Sequence, residues 1–245
     1  MSKILILGAS SDIAQAICYD YAKKGKDLIL TGRTTEELSS LKSDLEIKYS
    51  ISVSLYSFDG LLYEQHPVFF QNCINEHEIE GVILAYGYLG DQQKGQKSFQ
   101  EARKIIETNY VSAVSILELF ASYFEKKKQG FICGISSVAG DRGRQSNYLY
   151  GSSKGAFSLY LQGLRNRLTP FNVSVITVKP GFVKTKMTEG IINDSFLVAS
   201  PSHVSKDVLS AISRSSSILY TKKIWRYIMF IIRLIPEFIF KKLKL

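Results

Sequence analysis

Cysteine is scarce in this chain. Cys18, Cys73 and Cys133 are the only three in 245 residues, and no two form a Cys-x-x-Cys pair. That spacing gives neither a cysteine zinc site nor a dithiol redox motif, and points to buried thiols in a reducing compartment. Histidine is equally sparse. His66, His77 and His203 lack metal-ligand spacing, so no metal is expected and each histidine is assigned a solvated or capping role. A secretory signal is not expected either, because the apolar stretch of MSKILILGASS runs only from Ile4 to Leu7 before a glycine turn. Internal repeats and low-complexity segments are missing. So is a membrane-spanning run: the most apolar segment, Ile224 to Ile235, is broken by Arg226 and Arg233 and followed by Pro236, short of the roughly 20 apolar residues a bilayer needs.

What remains is an ordinary globular composition, with 45% hydrophobic and 22% charged residues, enough to bury the core of one α/β domain. The net charge is +9, but the segment from Lys222 to Leu245 alone carries +6 of it. Basicity is thus a tail property and gives no reason to expect nucleic-acid binding. The chain divides into a body, 1–221, and a basic, apolar tail, 222–245.

Short apolar runs alternate with longer amphipathic ones along the body. KILILG, DLILTG, SVSLYSFD, GVILAYG, GFICGISS, NVSVITVKPG and SILYT read as seven strands. Helical patterns cover roughly 12–24, 34–48, 100–126, 148–168 and 203–214. Continuous apolar strands alternating with helices imply a mostly parallel sheet covered on both faces. Right-handed crossovers then give a doubly wound fold that binds ligands at the C-terminal ends of its strands.

The chemistry-bearing residues follow the strands. After the first, Gly8 in GASSDIA permits a tight turn, and the helix start behind it offers free N–H groups to a pyrophosphate. After the second stands Arg33. An acidic residue there would accept from an adenosine ribose; an arginine instead suits a 2′-phosphate and favours NADP(H) over NAD(H). Within SSVAGDRGRQSNYLYGSSKGA, Tyr150 has Lys154 four residues on, one helical turn away. A lysine so placed lowers the cost of a phenolate, making Tyr150 a candidate general acid or base. Tyr148 has Ser152 at that spacing and no cation, and is expected to line the substrate cleft or the core. Tyr19–Lys23 and Tyr123–Lys127 share the Tyr-x-x-x-Lys spacing without a serine-ending strand before them, and read as surface pairs.

These motifs, in this order, resemble the short-chain dehydrogenase/reductase family over roughly residues 3 to 221. The resemblance implies a doubly wound Rossmann fold with strand order 3-2-1-4-5-6-7 and a hydride-transferring oxidoreductase. It implies a catalytic set of Asn109, Ser137, Tyr150 and Lys154. Ser137, thirteen residues before Tyr150, is in register with the family serine, whereas Ser136 is not. Gly8, Ser10, Ser11, Asp12 and Ile13 would form the first cofactor loop. Arg33, Asp59, Ala85 and Gly87 would follow, then Tyr150 and Lys154, then Pro180, Gly181, Val183 and Thr185. Two departures stand out. Asp12 and Ala14 replace the second and third glycines of the family loop, with the Asp12 carboxylate expected to cap the helix. Tyr86 breaks the usual Asn-Ala-Gly.

Within the family, YGYLGDQ, SSVAGDRGRQSNYLYGSSKG and VKPGFVKTKM are similar to reductases of a decaprenylphosphoryl 2-keto-pentose. That resemblance implies a keto-sugar on a polyprenyl phosphate, in cell-surface polysaccharide synthesis. Arg142 and Arg144 could meet its phosphate or be solvated loop residues. Another small carbonyl substrate, or a non-catalytic nucleotide-sensing or scaffold protein, stays open as an alternative. The family also implies a homodimer or homotetramer. In the tail, Lys222, Arg226, Arg233, Glu237, Lys241 and Lys244 fall on one helical stripe, opposite Trp225, Ile228, Met229, Ile232 and Ile235. Such a helix suits an anionic membrane surface, placing the protein in the cytoplasm, peripheral to the cytoplasmic face of the membrane. The alternative is a tail packed on its own domain or a partner subunit.

Overall fold

The computed structural model describes residues 2–190 and 195–243. Its core is one sheet of seven strands: β1 (Lys3–Leu7), β2 (Asp27–Gly32), β3 (Val53–Ser57), β4 (Ile79–Leu84), β5 (Gly130–Ile135), β6 (Val173–Pro180) and β7 (Ile218–Thr221). The strand order is 3-2-1-4-5-6-7 and every neighbouring pair is parallel. The expected doubly wound fold is therefore the observed one.

The period-2 geometry of a strand explains why both sheet faces are apolar. In β1, Ile4 and Ile6 face one side and Leu5 and Leu7 the other, all fully buried. The first side is covered by α1 (Asp12–Ala22), α2 (Glu36–Tyr49) and α8 (Pro201–Ser213), through Ile17, Leu38, Leu45, Val204 and Val208. The second is covered by α3 (His66–Glu76), α6 (Ser112–Lys127) and α7 (Tyr148–Leu168), through Phe69, Ile116, Phe120, Phe157 and Leu161. All three cysteines are buried free thiols in these layers.

Several elements differ from the sequence reading. Helix α3 was not expected, although His66, Phe69 and Cys73 bury at helical spacing and Pro67 stands in its first turn. His66 is accordingly not solvated: it is buried, and its Nδ1 lies 2.9 Å from Ser115 Oγ. The fourth strand stops at Leu84, so Ala85, Tyr86 and Gly87 belong to the loop beyond it. Short α4 (Gln92–Lys97) was also missed. The single helix expected near 100–126 is α5 (Phe99–Ile106) and α6, joined by a π-helical turn over Glu107–Val111.

The tail reverses one expectation. It forms α9 (Ile224–Leu234) and, after Pro236, α10 (Glu237–Phe240). Trp225 and Met229, expected on a lipid-facing side, are buried against Val138, Leu197 and Tyr220 of the same chain. Ile228 and Ile232 pack beside them. A Cβ on Gly181 would fall inside the Trp225 ring, so the glycine after β6 is what lets the tail seat there. Arg142 fastens the far end. Its Nη1 donates to the carbonyls of Ile232 (2.7 Å) and Ile235 (2.6 Å), its Nη2 pairs with Glu237 (2.9 Å), and its guanidinium lies 3.7 Å from the Phe240 ring centroid. Arg142 thus satisfies the orphan carbonyls at the C-terminus of α9 and is not a ligand-binding arginine. Lys244 of the expected stripe lies outside the described residues.

Candidate active site

The C-terminal ends of β1, β4, β5 and β6 open onto a cleft of about 500 Å³. The turn after β1 passes through Gly8, whose φ of +83° favours glycine and where a Cβ would lie 2.6 Å from Tyr86 Cβ. Tyr86 thus fills space beside the turn, and its hydroxyl lies 2.9 Å from Ser112 Oγ. The start of α1 is capped by Ser11, which accepts from the Ala14 N–H at 3.3 Å. Asp12 does not cap the helix as expected. Its Oδ2 accepts from the Lys186 N–H at 2.7 Å, 174 residues away, and ties the helix start to the segment after β6. Ser10, Ser11, Asp12 and Ile13 line one wall of the cleft, and Pro180, Gly181, Val183 and Thr185 the other. Thr185 opens a short 3₁₀ turn, closed by the Thr188 hydroxyl.

Arg33 is exposed and lines both this cleft and an adjoining hollow, which also holds Asp59, Ala85 and Gly87. The hollow contains a carboxylate the sequence reading missed. Glu37 Oε1 accepts from the N–H groups of Arg33 (3.0 Å) and Thr34 (3.5 Å). An acid was sought at the end of β2, whereas this one stands in the first turn of α2 and folds back. Asp59 Oδ1 accepts from the Leu61 N–H at 3.0 Å, which sets the loop after β3.

The four proposed catalytic residues come together from three elements. Ser136 turns into the core, bonding the Lys154 carbonyl (2.9 Å) and Ser158 Oγ (2.7 Å). Ser137 turns outward, accepts from the Ala139 N–H, and its hydroxyl acts on Tyr150 by favouring the phenolate. Lys154 is buried, and its Nζ donates to the Ile135 carbonyl at 3.0 Å. Asn109 sits in the π-helical turn, a distortion found often at functional sites. Its side chain is clamped by Tyr88, accepting from the N–H (2.8 Å) and donating to the carbonyl (2.7 Å). A Cβ at Gly87 would come within 3.0 Å of Asn109 Oδ1 and 3.1 Å of Lys154 Nζ, so glycine there leaves the lysine head uncovered. Tyr148 is exposed and lines neither the core nor the cleft. The remaining Tyr-x-x-x-Lys pairs are spent elsewhere: Tyr19 donates to Asp44 at 2.7 Å, and Tyr123 packs on Phe70 and Phe124.

Burial sets the electrostatics. Desolvation lowers Lys154 from 10.5 to about 8, with no carboxylate to offset it. Desolvation also pushes the Tyr150 phenol up to about 12, while the Ser137 hydrogen bond pulls it down. Burial therefore favours the protonated phenol, the form that can donate.

Tyr150 stands where this cleft meets a larger cavity of about 980 Å³. That cavity is walled by Phe182, Leu197 and Trp225 on one side and by Gln92, Arg144 and Asn147 on another. Helix α9 therefore contributes a wall through Trp225, which no pattern in the sequence indicated. The Asp-Arg-Gly-Arg stretch divides its labour. Asp141 is buried against Lys179 (2.5 Å) and Tyr220 (2.7 Å), Arg142 holds the tail, and Arg144 faces the cavity.

The family model described as short chain dehydrogenase matches residues 2–195. An uncharacterized oxidoreductase of Mycobacterium tuberculosis is 29% identical over 98% of this chain and 96% of its own length. One of Streptomyces coelicolor is 27% identical over 98% and 95%. Among solved structures, a short-chain dehydrogenase of Sphingobium yanoikuyae in complex with NADPH superposes with a TM-score of 0.84, at 21% identity over 97% of each chain. A bulky-bulky ketone specific alcohol dehydrogenase of Comamonas testosteroni gives 0.79, at 19% identity over 97% and 96%.

Proposed function

Given that the chain belongs to the short chain dehydrogenase family and is an oxidoreductase of it, we propose that it reduces the carbonyl of a lipid-linked keto-sugar with NADP(H). The observation that carries the reaction class is the buried, carboxylate-free Lys154 beside Tyr150 and Ser137, at the mouth of the sheet. The cleft fits a dinucleotide. It offers the first-turn N–H groups of α1, the bare Gly87 beside Lys154, and Arg33 at its far end. Ser10 to Ile13 and Pro180 to Thr185 would hold such a cofactor, with Asp59, Ala85 and Gly87 on the adenosine side. When bound, the nicotinamide supplies the hydride.

In this reading Tyr150 donates its proton to the carbonyl oxygen as negative charge develops there, and Ser137 donates a hydrogen bond to the same oxygen. Lys154 stabilises the phenolate that remains and anchors the ribose next to it. Asn109, rigid between the two arms of Tyr88, holds a water that passes protons toward Lys154. Incubation with native lipid extracts and NADPH, followed by product analysis, is expected to yield a reduced glycolipid. NADPH consumption by simple ketones alone would remove the keto-sugar from the reading.

Arg33 carries the NADP(H) preference. Arg33→Ala is expected to weaken NADPH roughly ten- to a hundred-fold, the loss of a charge-assisted bond, and to leave NADH nearly unchanged. Glu37→Gln provides the opposite control, relieving repulsion of a 2′-phosphate. Fluorescence titration of both cofactors decides, and equal losses for both would remove Arg33 from the phosphate site.

The tail supports the lipid part of the reading. Inward packing of Trp225 and Met229 leaves a second apolar face outside. Phe230 (63% exposed), Leu234 (64%) and, on α10, Phe238 (66%) stand out with Tyr227 and Ile231. Exposed Lys223, Arg226, Arg233, Lys241 and Lys242 rim this face, and the one nearby carboxylate, Glu237, is taken by Arg142. An apolar face within a cationic rim matches an anionic bilayer surface and would bring the cavity to a substrate whose lipid stays in the membrane. None of the described helices is long and apolar enough to cross a membrane, so the contact is peripheral, on the cytoplasmic face. Because the tail also seats Trp225 on Gly181, surface substitutions test this better than truncation. The full chain is expected to co-sediment with anionic but not neutral liposomes, and Phe230→Glu/Leu234→Glu to stay in the supernatant with unchanged circular dichroism. If both sediment alike, the face belongs instead to the homodimer or homotetramer that the family resemblance implies.

A further inference from the structure

The cavity beyond Tyr150 contains polar atoms that nothing among the described residues satisfies. Arg144 Nε, Gln92 Nε2 and Asn147 Oδ1 are each buried without a hydrogen-bond partner, and all three residues line this one cavity. Native proteins seldom leave such groups orphaned, and three in one cavity mark a place where a ligand completes them.

Gln92 and the backbone of Asn147 are held in place. Gln92 Oε1 accepts from the Leu149 N–H at 3.0 Å, so its amide is pinned against the first turn of α7 with the NH₂ group left over. Asn147 immediately precedes that helix, and its carbonyl accepts from the Gly151 N–H at 2.7 Å. Arg144 and Asn147 sit 6 and 3 positions before Tyr150, on the segment that carries the proposed proton donor.

The charge in the cavity has no counter-ion among the described residues. Among the described residues the Arg144 guanidinium makes no ion pair or hydrogen bond. Asp141, the acid that attracts it, is committed to Lys179 and Tyr220. Asp91, the one carboxylate on the cavity wall among the described residues, accepts from the N–H groups of Gln93 and Lys94. Desolvation moves Arg144 below the ordinary arginine range, the direction expected of a cation held out of water without a counter-ion.

We infer that Arg144, Gln92 and Asn147 form an oxyanion subsite that recognises a phosphate group on the substrate. Arg144 and the Gln92 amide donate to the phosphate oxygens, the geometry at which a guanidinium excels. Asn147 accepts from a hydroxyl next to it. The ligand is thus a phosphorylated, hydroxyl-bearing compound whose carbonyl reaches Tyr150. The inference rests on the reading of this cavity as the substrate site and assigns its selective contact.

Trp225 is the only tryptophan in the chain and lines the same cavity, so its emission reports occupancy without turnover. The protein, saturated with NADP⁺ so that the neighbouring phosphate sites are filled, is titrated with farnesyl phosphate, farnesol and inorganic phosphate. Farnesyl phosphate is expected to bind roughly ten- to a hundred-fold more tightly than farnesol, as a charge-assisted contact requires. Inorganic phosphate separates a free-anion site from one that needs the lipid as well. Arg144→Gln should bring farnesyl phosphate down to the affinity of farnesol, and Arg144→Lys should keep part of the preference. Equal binding of phosphate and alcohol to the wild type, or a preference that survives Arg144→Gln, would overturn the subsite. A preserved phosphate preference with no keto-sugar reduction would instead remove the proposed substrate and leave the subsite standing.

Discussion

Tyr150→Phe is expected to slow carbonyl reduction by roughly 10²–10⁴-fold, the usual contribution of a positioned proton donor, while cofactor affinity stays within a factor of two or so of wild type. The variant removes one oxygen and leaves the ring in place, so the proton is lost without the packing. Tyr148→Phe is the matched control. It alters an exposed tyrosine two positions away that lines neither cavity, and its activity should stay within a few-fold of wild type. NADPH consumption with a simple diketone as carbonyl probe, alongside cofactor titration, checks both. An active Tyr150→Phe with a dead Tyr148→Phe would reverse the assignment. Loss of NADPH binding in Tyr150→Phe would show that the hydroxyl holds the cofactor and does not only supply the proton.

Lys154→Met is expected to abolish reduction and, at the same time, to make the protein more stable. Lys154 is 4% exposed, with a carbonyl but no carboxylate at its head. Its fall from 10.5 to about 8 corresponds to about 3 kcal/mol of desolvation cost at neutral pH. Because the folded value lies below the unfolded one, the unfolded chain binds more protons between pH 8 and 10.5, and stability rises with pH across that window. Wild type and variant should therefore differ by a constant amount below pH 8. The gap should close between pH 8 and 10.5 and vanish above it. Denaturant unfolding of both proteins over pH 6–11 measures this directly. Parallel stability curves across the whole range would mean that the ammonium is compensated in the folded state. A functional site that retains such a cost is the general pattern for strained or unpaired groups.

The same physics separates what could be read from the chain from what could not. The covered parallel sheet and the position of the cleft follow from local rules, whereas the strand order came from the family resemblance. ILIL, residues 4–7, is apolar at every position, so it must be buried on both faces, and the glycine turn behind it must open at a strand's C-terminal end. Tyr150 and Lys154 were legible as a pair because one helical turn fixes their relation, and Ser137 through the serine-to-tyrosine spacing that the family resemblance implies. Helix α3 carried a signal in the spacing of His66, Phe69 and Cys73 that was passed over. Asp12 was misread because its partner is a backbone N–H 174 residues away, and no local pattern encodes so distant a contact.

The tail makes the division plain. Its composition established that it is basic, apolar and too short to span a bilayer. It did not establish which face turns inward, because α9 is apolar nearly all round and either side satisfies the pattern. The choice was made by Gly181, whose missing side chain admits the Trp225 ring, and by Arg142, which grips the carbonyl end of the helix. In the same way the sequence supplied two arginines near the candidate site without distinguishing them. Only the tertiary structure spent one on the tail and left the other in the cavity, since an arginine's role is set by which acceptors lie within reach, and those come from chain segments far away.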